Sequence, residues 1–238
     1  MKSLFITICV APLITLLVIS AAAATPEESF RESFPRINAE SIRPTAVSGL
    51  YEVTIGSRIV YYAPGPEYLI QGPIINKNRE NITEMRITEI IGGKLKTIPL
   101  EKAIQIGTGT HQVVEITDPD CSFCRKASAF FAHRNDITRH VFLLPASMHP
   151  NAKAKTLYIF CSDDKVKAYE EAMNGKLDDM KFSPCKSTQA EKLLEEHQEI
   201  GRQVGVTGTP LFLIDGQVVL GADIARIEKI LKKNNEKH

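Results

Sequence analysis

The 238 residues carry 29 basic and 28 acidic side chains, so the formal net charge is only +1. That balance lacks the basic excess a dedicated nucleic-acid binder needs, and no nucleic-acid partner is expected. With 43% hydrophobic and 24% charged residues, the composition is that of a folded globular chain, which excludes wholesale disorder, collagen and coiled coil.

The chain opens on Met1-Lys2, runs without charge from Leu4 to Ile19, and reaches Ala21-Ala22-Ala23-Ala24 before Thr25-Pro26-Glu27-Glu28. A basic start, an apolar core and a small-residue site predict a secretory signal over residues 1–24, with Ala22 and Ala24 at the −3 and −1 positions. A membrane anchor would need about 20 apolar residues, and Pro12 interrupts a stretch already short of that. Cleavage would remove Lys2 and Cys9 and leave Cys121, Cys124, Cys161 and Cys185. An even cysteine count in an exported chain points to pairing.

After the signal, Phe30, Phe34 and Ile37 predict a short helix over 29–40, ended by Pro44 or just before it. Residues 50–55 and 58–63 predict two strands about a Gly56-Ser57 turn, and residues 68–72 a third. Residues 74–76 extend the third strand or form an edge strand. This first region, 25–88, is thin for a core of its own and hints at a partner chain or a dimer. Residues 89–106 read as a linker, flexible at Ile90-Ile91-Gly92-Gly93, with a short helix over 99–106.

The second region, 107–238, predicts a strand at 111–116, a helix at 121–134 and a buried-type strand at 141–144. A helix over 151–173 carries Cys161 near its middle, and another follows over 188–203. Strands 211–214 and 217–220 flank Asp215-Gly216, a strong hairpin signal. An amphipathic helix over 222–233 closes the chain. The order β-α-β-α-α-β-β-α is that of an α/β layer fold.

The chemistry concentrates in Asp118-Pro119-Asp120-Cys121-Ser122-Phe123-Cys124-Arg125, where a buried strand meets the start of a helix. Two cysteines so spaced can close a small disulfide across the first helical turn, and unpaired N–H groups there favour a thiolate. Cys121 is then the exposed nucleophile and Cys124 the buried resolving thiol, exchanging through a mixed disulfide. Three other readings stay open. The pair can be half of a zinc site, although Cys161 and Cys185 are distant and no histidine lies at ligand spacing. It can be a purely structural disulfide, or two inert core residues. Further along, Thr207-Gly208-Thr209-Pro210 before a buried strand makes Thr209-Pro210 a candidate cis bond.

Taken together, the strand, the Cys121-Ser122-Phe123-Cys124 helix start, Thr209-Pro210 and the hairpin resemble the thioredoxin fold. The export signal, the small N-terminal sheet, the bridge and Ile70-Gln71-Gly72-Pro73 extend the likeness to the DsbC/DsbG family of periplasmic disulfide isomerases. The resemblance implies an α+β N-terminal dimerisation domain followed by an α/β thioredoxin-fold domain with a helical insertion. It places Thr209 and Pro210 in a loop that packs on the redox pair and presents backbone to substrate. It pairs Cys161 with Cys185 as a structural disulfide, which agrees with the hazard of free thiols in an oxidising compartment. It implies a V-shaped homodimer in the periplasm, with an uncharged cleft for misfolded, disulfide-containing exported proteins, some chaperone capacity, and re-reduction by a DsbD-like membrane reductase. No cofactor or metal is called for. A net thiol oxidase of the same fold, or a disulfide-stapled client-binding module without catalysis, are the alternatives.

One departure from the family is Ser122-Phe123 between the cysteines, in place of the Gly-Tyr or Pro-Tyr of its two branches. Those positions tune the thiol, so the balance of oxidation and reduction does not carry over. Glu115, six residues before Cys121 in an apolar strand, is a candidate buried acid for proton transfer with Cys124, unless it faces solvent on an edge strand or pairs with a lysine. Asp118 and Asp120 read as turn-forming acids, with Asp120 opposing a thiolate next door. His149 and the other histidines read as surface or loop residues.

Overall fold

The computed structural model describes residues 24–178 and 185–235. Residues 1–23 of the expected signal, and the Phe182-Ser183-Pro184 stretch expected before Cys185, lie outside the described residues.

The first helix, α1 (Pro26–Ser33), starts on a reciprocal cap. Thr25 accepts from the Glu28 backbone N–H, and the Glu28 carboxylate accepts from that of Thr25. Strands β1 (Ser41–Pro44), β2 (Tyr51–Ile55), β3 (Arg58–Ala63) and β4 (Tyr68–Ile70) pair antiparallel in that order. Phe30 on α1 packs edge-on against Tyr62 of β3 at 5.3 Å between ring centres, and Val53 completes this small core. The expected helix over 29–40 is therefore too long. It ends at Ser33, and the residues from Ser41 pair with β2 instead. Residues 74–76 make only an isolated bridge, Ile75 to Asn81.

Helix α2 (Ile82–Leu95) is capped by Asn81, whose side chain accepts from the Glu84 N–H. It runs through Ile90-Ile91-Gly92-Gly93, expected to be flexible. Gly92 serves close approach: a methyl group there would meet Val218 at 3.1 Å, whereas nothing lies within 4 Å of a Cβ on Gly93. Ile91 and Leu95 are buried against the second sheet.

That sheet has the order β5-β7-β6-β8-β9. Its strands are β5 (Ile104–Ile106), β6 (His111–Thr117), β7 (Ile137–Leu143), β8 (Leu211–Ile214) and β9 (Gln217–Leu220). Only β6 and β7 run parallel. The expected linker 89–106 is thus structured throughout. Its first part continues α2 across residue 88, and its last part is the sheet edge β5, with a single 3-10 turn at Leu100–Lys102 where a longer helix was expected.

Helices α3 (Ser122–Phe131) and α7 (Ile224–Asn235) cover one face of the sheet, and α2 and α6 (Thr188–Val204) the other. The expected helix over 151–173 is two. Helix α4 (Ala152–Cys161) stops at Cys161, Ser162 turns extended, and Asp164 caps a new helix, α5 (Lys165–Met173). Cys161 thus ends a helix instead of sitting in its middle. It is joined to Cys185, with 6.3 Å between their Cα atoms. The β8–β9 turn has positive φ at both Asp215 (46°) and Gly216 (85°), the twist a two-residue hairpin requires.

The first sheet also meets the helical layer that covers the second. The β2–β3 turn reaches α6, where Ser57 Oγ donates to the Val204 carbonyl. Gly205, left-handed at φ 77°, leaves room for this: a Cβ there would lie 2.2 Å from Ser57 Oγ.

Candidate active site

Cys121 is the N-cap of α3, at the C-terminal end of β6, and no side chain caps that helix start. The sequence expectation made Cys121 exposed. The structure instead leaves it 8% accessible, on the floor of a cavity of about 540 Å³. Its sulfur lies 3.6 Å from the Thr209 carbonyl oxygen, and the Thr209–Pro210 bond is cis. Phe123 and Met148, 63% and 80% exposed, form an apolar rim over the thiol.

Cys124 is fully buried. Burial pushes its thiol up to about 12, against the opposing pull of the Thr117 and Thr209 side chains and the Asp118 N–H, which lies 3.4 Å from its sulfur. The two thiols are thereby differentiated. One is reachable through the cavity, and burial favours the protonated form of the other.

Asp118, read from sequence as a turn residue, is wholly buried and organises the approach to Cys121. Its Oδ1 accepts from the Asp120 N–H at 2.8 Å. Its Oδ2 accepts from the Ala146 N–H at 2.7 Å and from His149 Nδ1 at 2.9 Å. His149, read as a loop residue, thus ties one wall of the cavity to the redox turn. His197, read likewise, is 1% exposed. It accepts from the Leu143 N–H on Nδ1 and donates to the Lys102 carbonyl from Nε2.

The charge of Asp120, beside Cys121, is matched. Its carboxylate meets Lys155 Nζ and, at 3.3 Å, Arg125 Nη2. Arg125 also grips Asp178 with two bonds of 2.6 and 2.7 Å and donates to the Pro119 carbonyl at 2.8 Å. Arg125, and then Lys155, hold Asp178 well below the usual carboxylate range. Sequence reasoning missed Lys155, which is 1% exposed on α4, because its partners come from segments far away in the chain.

Glu115 is fully buried, but its neighbours are not those of a shuttle to Cys124. Arg139 donates to its Oε2 from Nε at 3.0 Å and from Nη2 at 2.7 Å, and the Tyr169 hydroxyl donates to Oε1 at 3.1 Å. Burial works against the Arg139 cation, yet the Glu115 charge outweighs it and holds Arg139 above its ordinary range. The guanidinium carbon also lies 5.0 Å from the Phe131 ring centre and 5.4 Å from that of Tyr169. The carboxylate that sequence placed below the redox pair is the centre of a buried ion pair.

Two family models match the chain. The disulfide bond isomerase N-terminal domain covers residues 19–84, and the thioredoxin-like domain covers residues 99–234, more than half of the sequence. The chain belongs to the thioredoxin-like family. Among its relatives, the probable thiol:disulfide interchange protein DsbC of Bordetella parapertussis is 26% identical over 85% of this chain and 73% of its own. The thiol:disulfide interchange protein DsbC of Escherichia coli K12 is 26% identical over 78% of this chain and 77% of its own. A linker-deletion variant of Proteus mirabilis ScsC shares the thioredoxin-like fold, with a TM-score of 0.50 and 19% identity over 66% of this chain and 88% of its own. In this thioredoxin-like chain Cys121 and Thr209 line one cavity, with Cys124 buried one helical turn on from Cys121 and Pro210 joined to Thr209 by the cis bond. Cys161 and Cys185 stand apart from that cavity in the helical insertion.

Proposed function

We propose that this chain is an exported thiol–disulfide oxidoreductase that reduces or reshuffles incorrect disulfides in other exported proteins. The observation that carries the reading is Cys121 at a helix start, facing the Thr209 carbonyl across an open, apolar-rimmed cavity, with a protonated thiol, Cys124, directly behind it. The Cys121 thiolate attacks a substrate disulfide, forming a mixed disulfide and releasing one substrate thiolate. In reduction, Cys124 gives up its proton and attacks Cys121 Sγ, which forms the Cys121–Cys124 disulfide and releases the second substrate thiol. In isomerisation, another substrate thiolate attacks the mixed disulfide and frees Cys121 with no net redox change. The reductive route oxidises the pair, so turnover needs a dithiol donor, for which a DsbD-like membrane reductase is the expected partner.

The periplasm as compartment and cleavage near Ala24 are supported by the signal pattern in residues 1–24. A homodimer through the N-terminal sheet is supported by the matched N-terminal domain and by the edge strand β4, where Tyr68 is 65% and Ile70 46% exposed, with Ile75 beyond. Chaperone capacity follows if such a dimer encloses a cleft.

The test is recovery of a scrambled-disulfide substrate by the mature protein and by Cys121→Ala. Recovery that depends on Cys121 supports the reading. Oxidation of a reduced substrate without recovery of a scrambled one would move the protein to the oxidase class. No exchange at all would leave a client-binding module.

A further inference from the structure

The cavity over Cys121 adjoins a second one on the side of the β2–β3 turn. Leu144, Val206 and Thr207 form one of its walls, and the same three residues form a wall of a second cavity of about 500 Å³. The second cavity runs on to the β2–β3 turn, which the Ser57–Val204 hydrogen bond holds against α6. Set side by side along these residues, the two cavities lay out a track from the reactive sulfur toward the tip of the N-terminal hairpin.

The charged residues lining the far part of this track are Arg58 and Arg202, both exposed, and among the described residues no carboxylate lines it. Arg202 is shared with Glu199, which accepts from Nε at 2.9 Å and from Nη2 at 2.7 Å. Glu40, the other acid at the hairpin, is engaged by the Gly56 N–H at 3.1 Å and by Lys94 at 3.8 Å. The near part carries the apolar rim of Phe123 and Met148.

We infer that this track is a client-binding groove that selects acidic segments. A client chain lies extended along it, with its disulfide over Cys121 and apolar residues on the Phe123–Met148 rim. Aspartate or glutamate side chains then sit at the Arg58–Arg202 end. The inference deepens the proposed function and rests on it. Exposed charge pairs are individually weak and are screened by salt. The expected preference is therefore modest, about threefold to tenfold in kcat/KM at low ionic strength, and it fades as salt is raised.

The test uses three disulfide-linked peptide pairs of equal length. Their disulfide and apolar residues are the same, and the flank, scanned along the sequence, is acidic, neutral or lysine-rich. Reduction is followed with the full mature protein, with Arg58→Ala/Arg202→Ala and with Arg58→Glu/Arg202→Glu. The inference expects the wild type to prefer the acidic peptide, the alanine variant to bring the acidic-to-neutral ratio toward one, and the glutamate variant to prefer the lysine-rich peptide. A wild type that reduces the three equally, or a preference unmoved by either variant, overturns the groove and leaves the oxidoreductase reading intact. A wild type that reduces none of them overturns both.

Discussion

The carboxylate of Asp118 accepts a hydrogen bond from His149 Nδ1 at 2.9 Å, joining the turn before Cys121 to the loop that walls the cavity. Asp118 is buried completely, so the turn and the loop are set relative to each other by a group that water does not reach. Asp118→Ala would strand the Asp120 and Ala146 N–H groups and the His149 ring. A loss of about 2–3 kcal/mol is expected in denaturant unfolding. Exchange by Cys121 should fall as well, because one cavity wall is released. Unchanged stability would show that the loop holds its place without Asp118.

Lys155 is a buried ammonium between Asp120 and Asp178. Lys155→Met removes the cation and leaves the Asp120 charge beside Cys121 less matched. The expected cost is about 3 kcal/mol, the lower end for breaking a buried pair, because Asp178 remains partly exposed and keeps Arg125. Exchange should slow, since an unmatched carboxylate opposes the thiolate. Adding Asp120→Asn should restore part of both losses. A double variant slower than Lys155→Met would contradict this charge matching.

Glu115→Gln leaves Arg139 charged beside two rings with half of its partner gone. Unfolding stability should drop by about 3 kcal/mol or more, while Arg139→Met/Glu115→Gln should be less damaging than Glu115→Gln alone. The pH profile of exchange separates this structural role from the proton-transfer role expected from sequence. A profile unchanged by Glu115→Gln removes the shuttle, and a displaced profile restores it.

Burial holds His197 and His140 below the usual imidazole range. The unfolded chain protonates both near the ordinary value of about 6.5. Below that pH the unfolded state binds more protons than the folded one, so their contribution is complete above it and is lost as pH falls toward the folded values. The urea midpoint should therefore fall between about pH 7 and about pH 5, and less so in His197→Gln. A midpoint that stays level in the wild type would contradict it.

The Cys161–Cys185 bond closes a segment of 24 residues in sequence separation. Replacing both cysteines by alanine should cost roughly 3 kcal/mol by the loop-entropy argument. The exchange chemistry at Cys121 should persist below the lowered melting temperature. Peptide mapping without reductant that finds Cys161 free would remove the pairing.

What the sequence made legible was local. The Cys121–Cys124 spacing at a strand-to-helix junction, the Thr209-Pro210 step and the Asp215-Gly216 hairpin each declare themselves within a few residues. Helix α2 did not, because Gly92-Gly93 signals a break to any local rule. Only the packing of Gly92 on Val218, more than a hundred positions away, shows why a helix uses glycine there. Strand β5 is three residues long and needs β7 to define it. The roles of Asp118, Lys155 and Glu115 were hidden for the same reason. Each is a charged residue whose meaning lies in a partner brought in by the fold: His149, Asp178 and Arg139 respectively.

The most direct test of the central claim is the redox state of Cys121 and Cys124 in the mature protein, equilibrated in glutathione buffers and followed by alkylation mass shift. The account predicts that the pair opens and closes reversibly across the buffer series, and that brief alkylation of the reduced form labels Cys121 well before Cys124. A pair that stays closed in every buffer, or Cys124 labelling first, would contradict it.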